Sequence, residues 1–258
     1  MELTQQQLQQ FDEQGFLFFP SLFSPDEARA LQGATHEVFG SHRKEVWREN
    51  SGAPRTAFAA HRYNDVFACL GAHPRLVNPV SQLVDGPVYM HQFKVNAKAA
   101  FDGDVWQWHQ DYGTWQRDDD MPTARAMNIA VFIDDVSAVN GPLLFITGSH
   151  KHGVINAKHD SETTSYPLWA IGKQQINALC EQGECVAPTG PAGSVLVFSS
   201  LLVHASPPNI SPYNRTIVYL SLCHVDNHIR SFKRDEWVAH RDFTPIIPMA
   251  DDCLSNTE

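Results

Sequence analysis

Apolar positions in this chain repeat at a helical period in its first third and mostly at a period of two beyond it, with the change near Pro87. Thr4 and Gln7 form a capping-box pair, Leu8 and Phe11 give one apolar side, and Gly15 closes the segment, which predicts a helix over 4–14. Residues 16–19 read as a short strand. Ser24-Pro25-Asp26-Glu27 is a second helix start, with a serine cap, proline at the first position and glutamate at the third. Leu31, Ala34 and Val38 carry that helix to about residue 39, and 64–84 has a weaker helical pattern. Residues 88–98, 104–109, 125–136, 143–146, 194–203 and 215–224 are rich in β-branched and aromatic side chains, with Gly, Pro, Asn and Asp between them. One helix interrupts these strands, over 173–182, where Ile176, Leu179 and Cys180 share a face before Gly183. Many strands with few helices predict a mainly β fold with flanking helices, a double-sheet barrel of jelly-roll type. The chain reads as a single domain, 1–258, with a helical N-terminal part to about residue 86 and a jelly-roll core over about 87–248. Residues 151–170 have no period and read either as a lid or as a surface insertion. The tail beyond Met249 reads as frayed.

Composition narrows the function classes. Apolar residues are 43% and charged residues 19%, ordinary for a globular chain. A net charge of −10 argues against a nucleic-acid binder held by phosphate contacts, although a local pocket of Arg and Lys can still take an anionic substrate. The opening MELTQQQLQQFDEQ lacks the basic start and apolar run of a signal peptide, and no stretch approaches a membrane span. The five cysteines, Cys69, Cys180, Cys185, Cys223 and Cys253, are odd in number and contain no CxxC pair, which predicts a reduced chain in the cytoplasm. The expected partner is a small molecule, with no nucleic acid and no membrane; oligomeric state has no sequence signature.

The candidate chemistry sits in Trp106-Gln-Trp-His109-Gln-Asp111-Tyr-Gly, a His-x-Asp pair in an aromatic stretch. Read as one strand, it puts His109 and Asp111 on the same face, and a third ligand must come from elsewhere. His204, at the end of the apolar run from Phe198, can supply it. Two imidazoles and a carboxylate are the set that holds non-heme Fe(II) and leaves positions open. Arg215 opens the next strand, and the turn SPPNISPYN would lay that strand beside the one carrying His204. A guanidinium inside a barrel needs a partner, and its fork suits a carboxylate. The distal carboxylate of 2-oxoglutarate fits, with Ser206 as a second donor; an internal salt bridge is the alternative. Two further readings use the same ligands or none: a metal hydrolase or isomerase with Zn or Mn, and a catalytically silent barrel that binds a small ligand. His150, His152 and His159 read as structural or surface histidines, His91 as a satisfied core histidine, and Asp118-Asp-Asp120 as a solvated loop. Among Lys94, Arg117, Arg125, Arg230, Arg234 and Arg241 a substrate anion can find a binder.

These residues resemble the phytanoyl-CoA dioxygenase family of Fe(II)/2-oxoglutarate oxygenases, and in particular its bacterial small-molecule members such as leucine and ectoine hydroxylases. The matching stretches are His91-Gln-Phe-Lys-Val-Asn96-Ala-Lys98, Trp106 to Trp115, Asn140-Gly-Pro-Leu-Leu-Phe-Ile-Thr-Gly-Ser-His150, His204 to Arg215, and Arg234 to Pro245. Thr147 departs from the family, which often has proline there. The resemblance implies a double-stranded β-helix (cupin-like) core, with His109, Asp111 and His204 on iron and Arg215 and Ser206 on 2-oxoglutarate. It makes Gln92 and Asn96 candidates for holding the co-substrate or the ligands around the metal, and Trp115 a wall of the substrate pocket, with Lys94 and Arg125 as substrate-binding candidates. It implies Fe(II), 2-oxoglutarate and dioxygen as the cofactor and co-substrates. The presence of Asp111 favours hydroxylation, since related halogenases carry a small residue there. The implied substrate is a free amino acid or related zwitterion; the alternative is a 2-aminoethylphosphonate-type compound.

Overall fold

The computed structural model describes residues 1–162 and 167–255. The first part of the chain forms α1 (Gln5–Gln14), β1 (Phe16–Phe19), α2 (Pro25–Gly40), β2 (Val46–Arg48), β3 (Pro54–Phe58), α3 (Asp65–Gly71) and α4 (Pro74–Leu83). Then come β4 (Val88–Lys98), β5 (Trp106–His109), α5 (Asp111–Asp118), β6 (Ala126–Phe132) and β7 (Leu144–Ile146). The last part holds β8 (Ala157–Asp160), β9 (Leu168–Ile171), α6 (Lys173–Cys180), β10 (Cys185–Val186), β11 (Val195–Ser199), β12 (His204–Ser206) and β13 (Arg215–His224). Both expected capping boxes form, Thr4 with Gln7 and Ser24 with Glu27. Gly15 ends α1 at φ 87°, where a Cβ would lie 2.5 Å from the His150 ring. The helical pattern over 64–84 is two helices, because Pro74 cannot continue α3 and opens α4 behind a His73 cap.

Antiparallel strands make a seven-stranded sheet, ordered β1-β11-β6-β13-β4-β3-β2, facing a four-stranded sheet, β10-β7-β12-β5. This is the jelly-roll core. The two-residue period of the strands sorts their side chains between its faces. On the outer face, Phe93, Val95, Val218 and Leu220 pack against Leu31, Leu70 and Leu76 of the helices. On the inner face, Ala130, Phe132, Phe198 and Ile217 pack against Phe145 of the smaller sheet.

Several expectations are corrected. The N-terminal part is not only helical: besides the expected strand β1, which forms one edge of the larger sheet, β2 and β3 form the opposite edge pair. The strand expected over 194–203 stops at Ser199, turns, and resumes as β12 in the other sheet. The tail as far as Ser255 is pinned rather than frayed, with Leu254 buried and Arg75 paired to Asp251. Cys69 and Cys253 are disulfide-bonded across a separation of 184 residues, so the cysteines are not all reduced; no sequence spacing announces a pair so distant. Within 151–170, β8 and β9 form a two-stranded hairpin, while 163–166 lie outside the described residues.

Candidate active site

A cleft opens between the sheets. Its floor follows from register. Residues paired across β4, β13 and β6 form rungs: Gln92, Ser221 and Asn128; Lys94, Tyr219 and Ala130; Asn96, Ile217 and Phe132; with Lys98 opposite Arg215 at the far end. The alternate residues of these strands go to the helices, so each rung turns its side chains inward.

His109, Asp111 and His204 converge there. Their ligand-type atoms lie within 4.8 Å of one another, and no other such group occurs among the described residues. The route differs from that read in the sequence. β5 ends at His109, and Asp111 is the first residue of α5, so strand alternation does not bring them together. The turn does: the Gln110 side-chain Nε2 donates to the Leu201 carbonyl at 2.6 Å and the Gly153 carbonyl at 2.8 Å, and the Tyr112 backbone N–H donates to the Ser200 carbonyl at 3.0 Å. His204 pairs with His109 across β12 and β5, with ring centroids 4.1 Å apart.

The donor set suits a metal. His109 Nδ1 meets the Gln107 carbonyl at 2.6 Å and His204 Nδ1 the Leu202 carbonyl at 2.9 Å, which turns each Nε2 toward Asp111. Burial, and then the neighbouring His204, push the His109 pKa down to about 3; burial also lowers that of His204. Both rings are therefore neutral, as metal ligands must be. Burial works to raise the Asp111 pKa, but His204, Lys94, His109 and a hydrogen bond from Asn128 hold it below the ordinary carboxylate value. Two neutral imidazoles and a carboxylate with open sides fit Fe(II).

Arg215 lies beyond the far end of the floor and is not itself among the lining residues; it is 1% exposed, with Nη2 donating to Ser206 Oγ, which does line the cleft, at 3.1 Å. Ser206 sits on the facing sheet, so the two meet across the barrel rather than side by side. Among the described residues no carboxylate pairs with Arg215 within 4.0 Å and its Nε has no partner, so the internal salt bridge is not the reason it is buried. A buried guanidinium with donors to spare suits the carboxylate of a bound anion. Lys98 braces this end, its Nζ donating to the carbonyls of Asp104 and Pro207 at 2.5 Å.

The roof is built otherwise. Trp115 of α5, 1% exposed, donates from Nε1 to Gln92 Oε1 at 3.3 Å, and Gln92 donates to the Val238 carbonyl at 2.9 Å. Arg234, on the arm after β13, lines the cleft and is held by both oxygens of Asp119. Asp119 is fully buried and not a solvated loop residue; its backbone carbonyl also accepts the Arg230 and Ser231 amides at 2.9 Å. His91 lies on its other side, with Nε2 at 3.4 Å. Leu168 of β9 closes one wall, and Trp169 beside it donates to Asp118 at 3.1 Å.

Of the residues picked from the sequence, Gln92, Lys94, Asn96, Trp115 and Ser206 line the cleft with the triad. Arg125 does not: it donates to the Val84 and Asp85 carbonyls at the end of α4. His150, bonded to the Asp12 carbonyl, stands apart, as do exposed His152 and His159. Missed were Trp106, Thr114, Leu143, Leu168, Ala205 and Tyr219, while of the five arginines offered for a substrate anion Arg234 lines the cleft. Tyr219 was within reach, since it shares the period-two face of β13 with Arg215. Asp119 carried no signal.

The fold and cleft have counterparts. A family model described as Phytanoyl-CoA dioxygenase (PhyH) matches residues 11–217. L-proline trans-4-hydroxylase of Streptomyces griseoviridis is 33% identical over 95% of this chain and 95% of its own. Ectoine dioxygenase of Stutzerimonas stutzeri is 33% identical over 93% of this chain and 85% of its own. The crystal structure of EctD from S. alaskensis with 2-oxoglutarate and 5-hydroxyectoine superposes with a TM-score of 0.85, at 28% identity, covering 96% of this chain and 87% of that one. EctD has also been solved with bound Fe. With the His-Asp-His group at the centre of this fold, the chain belongs to the phytanoyl-CoA dioxygenase (PhyH) family and is an Fe(II)- and 2-oxoglutarate-dependent dioxygenase.

Proposed function

We propose that this enzyme hydroxylates a C–H bond of a free amino acid or a related zwitterion. The observation that carries this reading is the cleft's polar equipment beyond the triad. Arg234 supplies one guanidinium for a carboxylate, while Asn96 Oδ1 and Thr114 Oγ1 are buried cleft atoms with no partner among the described residues. Buried acceptors left unpaired are costly, and an ammonium or amide N–H of a substrate satisfies them. A phosphonate would call for two or more arginines at the substrate end. Among the described residues Arg234 is the arginine that lines the cleft; Arg117 donates to the Gly113 and Ile155 carbonyls, and Arg125 lies elsewhere. The relatives named for proline and ectoine lend the same direction.

In this reading His109, Asp111 and His204 hold the iron. Arg215 and Ser206 take the distal carboxylate of 2-oxoglutarate, and Lys94, whose Nζ lies 6.0 Å over the Tyr219 ring, offers a hydrogen-bond donor on the same side. Bound iron supplies the redox chemistry by which dioxygen and 2-oxoglutarate oxidise the substrate. The chain's own part is geometry. Trp115, fixed by Gln92, walls the prime substrate; Arg234, fixed by Asp119, anchors its anionic end; Leu168 excludes water from above. The whole chain serves as one catalytic domain, since a single core cluster runs from Leu3 to Leu254. A small-molecule enzyme that binds neither nucleic acid nor membrane completes the proposal, in keeping with the net charge of −10. Among the described residues no helix is long and apolar enough to cross a membrane.

The test is succinate formation and oxygen uptake with L-proline, L-leucine, ectoine and 2-aminoethylphosphonate in parallel. Coupled turnover with an amino acid or ectoine is expected. Coupling with the aminophosphonate alone would sink the zwitterion reading and leave the enzyme class standing.

A further inference from the structure

The carboxylate of Asp111 is held from behind by a relay that the metal chemistry itself does not require. Asn128 Nδ2 donates to Asp111 Oδ2 at 2.8 Å, and Ser221 Oγ donates to Asn128 Oδ1 at 2.7 Å. Both residues are buried, at 1% and 0% exposure, and they are register partners on β6 and β13. The direction of the chain matters. Because the carboxylate can only accept, the amide turns its NH2 toward it, and the Ser221 hydroxyl, donating to Oδ1, holds the amide in that plane. The reverse orientation would set two acceptors, Asn128 Oδ1 and the carboxylate, against each other. Asp111 stands at the first position of α5, just past a strand-to-helix turn, and its own backbone leaves the carboxylate free to rotate about two side-chain bonds. The two ring Nε2 atoms lie 3.4 Å and 3.9 Å from different oxygens of this carboxylate, so its plane decides which oxygen both rings can share a metal with.

We propose that Asn128, oriented by Ser221, is a positioning residue for the metal centre: it fixes the plane of the Asp111 carboxylate before iron arrives. The same rung carries Gln92, which fixes Trp115, so one row of three polar residues sets both the metal carboxylate and the substrate wall. This inference rests on Asp111 being an iron ligand.

The experiment is anaerobic calorimetric titration of the metal-free full-length protein with Fe(II). Partners that orient metal ligands typically contribute about 10–100-fold in affinity, so Asn128→Ala is expected to weaken Fe(II) binding by that factor. Ser221→Ala, which keeps the amide but frees its rotation, is expected to cost several-fold. Thermal unfolding of the metal-free proteins, measured alongside, reports any general loss of packing. A folded Asn128→Ala that binds Fe(II) as tightly as wild type overturns the proposal. Where Asn128→Ala does not fold, Ser221→Ala decides, and unchanged affinity there overturns it equally. Asp111→Ala separates the two levels: undiminished Fe(II) affinity in that variant removes the ligand reading, whereas loss there with no effect at Asn128 and Ser221 removes only the relay.

Discussion

The floor of the cleft and its roof are held in place by different kinds of structure. On the floor, each polar residue is one member of a rung across β4, β13 and β6, and its position follows from strand register. A slip of one residue would send every one of them to the helix side, so the whole outer core, from Phe93 to Leu222, enforces their placement. On the roof, each residue hangs on its own brace: Trp115 on Gln92, Arg234 on Asp119, and the β8–β9 hairpin on the contacts of Trp169 with Asp118 and Arg117. The difference teaches where change is tolerated. In the proposed reading 2-oxoglutarate is anchored at the end of a floor that a single substitution cannot re-register, and the iron ligands come from β5, β12 and the start of α5 on the facing side, while the prime substrate meets a helix end, a hairpin and an arm that can be re-aimed one brace at a time.

Breaking the floor has the largest expected effect. Arg215→Ala removes the charge that we assign to the distal carboxylate of 2-oxoglutarate, an interaction worth about 2–5 kcal/mol when buried, hence roughly 30-fold or more in affinity. The KM for 2-oxoglutarate should rise accordingly, with the affinity for Fe(II) little changed; steady-state kinetics with varied 2-oxoglutarate checks it.

Breaking the roof should divide the kinetics the other way. Asp119→Asn loosens Arg234, and Arg234→Ala removes it; losing a charged hydrogen bond of about 1.5–3 kcal/mol predicts a roughly 10–100-fold higher KM for the prime substrate in the second variant. The first variant should lie between it and wild type, with KM for 2-oxoglutarate near the wild-type value in both. Asp119 also gives a pH signature. Burial works to raise its pKa, but His91 and Arg234 hold it below the ordinary value of 3.8. A depressed carboxyl contributes stability that is present above the unfolded-state value and lost as pH falls through the folded-state one. Wild type should therefore lose urea resistance more steeply below about pH 4 than Asp119→Asn does, and parallel curves for the two would contradict the brace.

The smallest effect is expected at the hairpin. Trp169→Ala removes a cation–π contact with Arg117, 5.0 Å from the ring, and the bond to Asp118. About 0.5–2 kcal/mol of local order predicts a few-fold change in KM for the prime substrate, measured by the same assay.

The contrast between floor and roof also sets what was legible in the sequence. His109, Asp111, His204 and Arg215 could be picked out, because a His-x-Asp pair, a later His and an inward Arg carry chemistry in their residue types. Gln92 and Asn96 came from the family resemblance, and strand alternation along β13, starting from Arg215, reaches Tyr219 and Ser221. The reason given for the His109–Asp111 convergence was wrong in kind, since a strand-to-helix turn and not strand alternation makes it. Asp119 read as one of three acidic residues in a solvated loop, and Arg125 as a cleft residue, because neither the partner of a charge nor the direction of a loop is written locally. Asn128 drew no notice at all. Its role exists only through Asp111 and Ser221, which lie far from it along the chain and beside it in the fold.

The central claim is that His109, Asp111 and His204 hold iron beside a 2-oxoglutarate anchored by Arg215. The most direct measurement adds Fe(II) and 2-oxoglutarate to the metal-free protein without oxygen and follows the weak visible absorption of the iron chelate. The account predicts a band in wild type, none in His204→Ala, and one that needs far more 2-oxoglutarate in Arg215→Ala. A folded His204→Ala protein that gives the wild-type band at the wild-type 2-oxoglutarate concentration would contradict it.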